Sequence, residues 1–183
     1  MRRSLLASLA VVGILAGGGA AAIASSTPSL SASGPTSVTG TEATAVFTIV
    51  DRSVRQVRYA DGGSLVYTFR VRNDSRLPLT VTGLADDQPA TRLFRYTALV
   101  APGGGDVTIG AGDSASVSLV LDMGGCESLS ARAGSFVTAV RARTERMGVA
   151  ADDVTLTLPE ELHTGSPREA FCPNSTATSR PPG

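Results

Sequence analysis

The chain reads as an all-β sandwich of seven to eight short strands, preceded by a hydrophobic N-terminal helix. Two observations predict the sandwich. Apolar and polar residues alternate with a period of two over several stretches, which places an apolar row on one face of each strand. Turns rich in Gly, Pro, Asn and Asp separate these stretches at about the 8–12 residue spacing of sandwiches. The rest of the chain adds no convincing amphipathic helix.

In chain order, Met1-Arg2-Arg3 is a short positive region, and residues 5–24 carry no charge. Ala22-Ile23-Ala24 has the small-x-small form of a signal-peptidase site, so cleavage falls after Ala24. The same twenty residues are long enough to cross a bilayer as a helix, and both readings place the rest of the chain outside the cytoplasm, either secreted or anchored by residues 5–24. Residues 25–43 are rich in Ser, Thr, Gly and Pro and read as a flexible spacer. The domain spans 44–172, and residues 173–183 read as a disordered tail.

Within the domain, residues 43–50 read as a first strand and Asp51–Arg58 as an edge strand or an exposed loop. Gly62–Gly83 is the most strongly patterned stretch. Leu65, Tyr67, Phe69 and Val71 alternate with Val66, Thr68, Arg70 and Arg72, and Asn73-Asp74-Ser75 offers side chains that bond their own backbone in a turn. The stretch reads as a hairpin that resumes at Leu79. Further strands follow at Arg92–Val100, Val107–Ile109, Ser114–Asp122, Phe136–Arg143 and Asp153–Leu158, with Pro159 ending the last. In the Phe136 strand, Phe136 and Val140 fall on one face and Arg141 and Arg143 on the other.

The run GGSLVYTFRVRNDS from Gly62, with LTVTGL from Leu79, resembles bacterial extracytoplasmic immunoglobulin-like modules, including the adhesion-related CARDB type. These read G-x-x-hydrophobic-x-Tyr-Thr-x-x-Val-x-Asn before such a turn. The run GAGDSASV from Gly110 is similar to their entry into a following strand. The resemblance covers about half of the domain. It implies an immunoglobulin-like antiparallel sandwich serving as a spacer, adhesin or partner dock, with no catalytic residues to carry over. The chain departs from those modules in occurring once and in its late second cysteine.

Composition excludes several chemistries. Sixteen basic and sixteen acidic residues balance, which argues against general nucleic-acid binding. All sixteen basic residues are Arg, so Schiff-base and P-loop lysine chemistry are absent. Cys126 and Cys172 are the only cysteines and, outside the cytoplasm, are expected to form one disulfide worth at most about 4 kcal/mol. His163, the single histidine, follows the last expected strand, a poor mount for a general base. The turn carboxylates Asp86, Asp87, Asp106, Asp113 and Asp122 are the candidates for a Ca²⁺ site, although no EF-hand pattern contains them.

Arg70 and Arg72, with Arg141 and Arg143, form a basic stripe for an acidic partner only if their strands share a sheet. The function expected is a non-catalytic binding or structural module of the bacterial cell envelope. It needs no cofactor, has an unidentified protein or envelope component as partner, and touches membrane only through an uncleaved N-terminal segment. The alternative is a small secreted hydrolase or Ca-binding protein using His163 or the turn aspartates.

Overall fold

The computed structural model describes residues 27–41, 43–59, 62–89, 91, 93–124 and 134–164. The N-terminal helix and cleavage site, the pair Cys126 and Cys172, and the tail after residue 173 lie outside them. The described residues form β1 (Leu30–Thr39), β2 (Ala43–Ile49), β3 (Arg52–Arg58), β4 (Ser64–Asn73), β5 (Leu79–Leu84), β6 (Phe94–Val100), β7 (Val107–Ile109), β8 (Ser114–Met123), β9 (Ser135–Arg146), β10 (Val149–Ala150) and β11 (Val154–Thr164). They are arranged in two sheets. The first has the order β1-β4-β8-β6; the second has the order β2-β3-β11-β9-β5-β7, with β10 paired to β9. All pairings are antiparallel except β3 with β11.

β4 lies between β1 and β8, and its alternation is obeyed. Leu65, Tyr67, Phe69 and Val71 are fully buried, while Arg70 and Arg72 are exposed. The opposing layer comes from Leu79 and Val81 on β5, Val137, Val140 and Ala142 on β9, and Leu156, Leu158 and Leu162 on β11. Burying a large apolar side chain of this kind is worth about 1.5–3 kcal/mol. One continuous core therefore holds the two sheets together.

Several expectations are corrected. β4 and β5 do not pair, so Gly62–Gly83 is a crossover between sheets and not a hairpin. The cause is Asn73, a fully buried amide at the end of β4. Its Nδ2 donates to the carbonyls of Leu77 (2.8 Å) and Ile109 (3.0 Å), and its Oδ1 accepts from the Ser75 amide (2.9 Å). Because Ile109 belongs to β7 of the second sheet, this side chain carries the chain from one layer to the other.

Residues 30–39 are a strand and not spacer: Leu30 and Ala32 pack on the core, and the backbone pairs with β4. Arg52–Arg58 is neither an edge nor a loop, since it is flanked by β2 and β11. Pro159 does not end the last strand. It lies in a bulge between Thr157 and Leu162, where a missing N–H breaks no ladder bond, and pairing resumes beyond it. The facing part of β9 also shifts phase there, so Phe136 turns to solvent while Val137 and Val140 are buried.

Gly40 ends β1 with φ of 78°, and a Cβ placed there would collide with the Ser64 carbonyl oxygen. Gly62 has a similar φ of 75° but open space around it. Gly62→Ala is therefore expected to cost about 1 kcal/mol, the penalty for an L residue in the left-handed region. Gly40→Ala adds a backbone clash and should cost at least about 2 kcal/mol more. Urea unfolding of the two variants beside the wild type measures the difference.

Candidate functional site

The singled-out residues that fall among the described ones have definite places in the sandwich. His163 sits within β11, in register with Gln56 of β3 and Phe136 of β9, and not in a loop beyond the last strand. Its imidazole stacks on Phe136 with ring centroids 4.6 Å apart and 25° between planes, on the solvent side of the second sheet. Its ring nitrogens hydrogen-bond to no described residue, so among the described residues neither a nucleophile nor an orienting carboxylate stands against it. Among the described residues the ring's contact is the face of Phe136.

The turn aspartates do not converge. Asp86 pairs with Arg143 at 2.6 Å, Asp87 pairs with Arg141, and Asp122 pairs with Arg95 at 3.0 Å. Asp113 turns its carboxylate over Gly110 beside the β4 terminus, where its carbonyl accepts the Asn73 amide. Among the described residues no group of three or more His, Cys, Asp or Glu side chains gathers within reach of one metal ion.

The shared basic stripe does not exist, because β4 and β9 belong to different sheets. Arg70 and Arg72 face solvent from the first sheet, and Arg72 is bound to Asp74 at 3.2 Å. Arg141 and Arg143 lie on the second sheet and are held by Asp87 and Asp86. Of the four, only Arg70 has no ion-pair partner among the described residues. Cys126 and Cys172 lie outside the described residues.

A cleft of about 430 Å³ opens where the chain leaves β5 for β6, lined by Leu84, Ala85, Asp86, Gln88, Pro89, Thr91, Phe94, Arg95 and Tyr96. Its polar groups are already used. The Gln88 Nε2 donates to the carbonyls of Ala85 (3.1 Å) and Arg141 (2.6 Å), and its Oε1 accepts from the Arg141 amide (3.1 Å). The Gln88 side chain thus stands in for a further strand residue beside β9. The Tyr96 hydroxyl donates to the Ala139 carbonyl at 3.1 Å, and burial pushes its pKa up to about 12.

Sequence reasoning missed one polar cluster inside the sandwich. Arg55 of β3 and Glu160 of β11 form a bidentate pair, with Nε to Oε2 at 2.6 Å and Nη2 to Oε1 at 3.1 Å. Their side chains are only 12% and 14% exposed. Thr36 of β1 donates to Glu160 at 2.9 Å and accepts from Arg55 at 3.1 Å, joining the first sheet to the second. The Tyr67 hydroxyl, buried beside them, has its pKa raised by burial and then by the Glu160 charge, with Arg55 and the polar groups of Glu160 and Thr36 opposing. The one available signal was position, since Arg55 alternates in phase with the buried Val57 and Tyr59.

No protein-family model matches the chain, and no curated protein matches it. Among solved structures, the chain is similar to the cupredoxin domain of amoB from Nitrosocaldus yellowstonii, with a TM-score of 0.28 and 15% identity. The match covers 66% of this chain and 65% of that one. At that score the likeness supplies no functional reading.

The buried Tyr67 and the partly buried Tyr96 set an alkaline limit. Both have pKa values raised above 10 in the folded chain, so the native state keeps protons that the unfolded chain loses. Their stabilising contribution is fully present below pH 10 and falls as pH rises through about 12 for Tyr96, and higher still for Tyr67. Chemical unfolding between pH 9 and 12 is expected to show stability declining with pH, less steeply in Tyr96→Phe than in the wild type. An unchanged slope in that variant would contradict the assignment.

Proposed function

We propose that the protein is a non-catalytic, immunoglobulin-like module of the bacterial cell envelope, exported by residues 1–24 and acting by binding or spacing. The observation that carries this reading is the use already made of its reactive side chains. His163 is stacked on Phe136, and Asp86, Asp87 and Asp122 are each held by an arginine. Among the described residues these contacts leave no acid–base pair poised in a cleft.

Strand order supports the immunoglobulin-like part. With β1, β4, β5, β6, β8, β9 and β11 taken as A to G, the first sheet runs A-B-E-D and the second contains C-F-G as neighbours. β2, β3, β7 and β10 are additions to that frame. The buried Trp of antibody domains has no counterpart, since the chain contains no Trp. Export is supported by the uncharged run after Arg2-Arg3 and the Ala22-Ile23-Ala24 step.

Fractionation of the producing cells, with mass spectrometry of the N-terminus, tests the compartment. The chain is expected outside the cytosol, starting at Ser25 or retained in membrane with residues 5–24 intact. A cytosolic chain with Met1 in place would overturn that part. Calcium at millimolar concentration is expected to leave the melting temperature unchanged. A rise with calcium that is lost in Asp86→Asn or Asp122→Asn would instead support a metal site.

A further inference from the structure

The two sheets have four edges, and three are blunted. β1 is interrupted by a bulge between Ser33 and Ser37 that contains Gly34-Pro35, and β6 carries Arg95 and a bulge between Tyr96 and Ala98. β7 has only three residues. β2 is different. Its seven residues, ATAVFTI, pair with β3 without a register shift and contain no charge, Pro or Gly. Exposed edge strands of natural proteins normally carry one of these protections against pairing with another chain.

The second sheet also extends past the first. Thr36 of β1 reaches Arg55 on β3, and β2 lies one strand farther out, so solvent meets both of its faces. Val46 is 48% exposed, Phe47 48%, Ile49 51%, and Val50 in the following turn 94%. Four of the large apolar side chains facing solvent thus fall on five consecutive residues.

We propose that β2 is a self-docking edge, and that two copies of the chain join β2 to β2 antiparallel about a two-fold axis, fusing their larger sheets. The sequence is its own complement in that arrangement. With the axis through Phe47, Phe47 meets Phe47 and Ala45 meets Ile49 on one face, while Val46 meets Thr48 on the other. Charge favours the same occupant. An uncharged strand is best matched by an uncharged strand, and Arg52 and Arg55 behind it are neutralised by Glu161 and Glu160, so like charge does not oppose the second copy there.

Size sets the strength. Four partly exposed side chains and a short ladder bury less than the about 800 Å² per partner of a standard interface. The dimer is therefore reversible, with a dissociation constant on the order of micromolar. This inference is independent of compartment and of the proposed envelope role.

Sedimentation velocity of the full chain in mild detergent, from about 5 to about 500 µM, tests it. The wild type is expected to shift toward twice its mass as concentration rises. Phe47→Lys, which places two like charges across the axis, should weaken the dimer at least tenfold with an unchanged circular dichroism spectrum. Ile49→Lys gives the same readout if Phe47→Lys fails to fold. A wild type that stays monomeric throughout, or a dimer unaffected by both substitutions, would overturn the proposal.

Discussion

The architecture depends on the buried amide of Asn73. β4 delivers the densest apolar row to the core, and the chain must then leave the first sheet without a hairpin. The turn at residues 74–78 is exposed or partly exposed, so the polar group that must be met in the dry interior is the Asn73 side chain itself, where an unmet group costs about 1–3 kcal/mol. Asn73 meets the Ser75 amide and the carbonyls of Leu77 and Ile109 with one side chain, while its own amide and carbonyl bond Asp113 and Gly112. Both sheets are pinned at that corner, and the core residues of β5 and β9 come to lie over β4.

The opposite flank is held by charge. Arg55, Glu160 and Thr36 bring β1, β3 and β11 together, with Tyr67 below them. A largely buried pair of this kind adds little over apolar packing, yet losing one partner leaves the other charge behind, at a cost below the roughly 3–5 kcal/mol of a fully buried pair. Its effect here is positional. It fixes β1 over β11, and so determines how far the second sheet projects beyond the first and leaves β2 uncovered. The flank that organises the N-terminal strands is also the flank that exposes the self-complementary edge.

Much of the fold was legible in the sequence because period-2 alternation is a local signal. The rows on β4, β8 and β11 follow from it, and Leu65, Phe69, Val117, Leu119 and Leu156 lie where the pattern puts them. What was not legible is non-local. Whether Leu79 pairs with β4 or crosses to the other sheet depends on Ile109, far along the chain. Ser- and Thr-rich residues 30–39 look like spacer because the partner that makes them a strand is β4. A bulge, as at Thr138 or Pro159, reverses faces without changing composition, which misplaced Phe136. Among the candidate site residues, the sequence supplied the arginines and aspartates but not their pairing, and it gave no sign of the Arg55–Glu160 cluster.

The central claim is that Asn73 pins the crossover from β4 to β5 at one corner of the core that holds the two sheets together. Urea unfolding of Asn73→Ala tests it most directly. Loss of one buried and two part-buried hydrogen bonds predicts a stability decrease of about 2 kcal/mol or more, with one transition shared by both sheets. A decrease below about 1 kcal/mol would mean that the crossover is held elsewhere, and would contradict the claim.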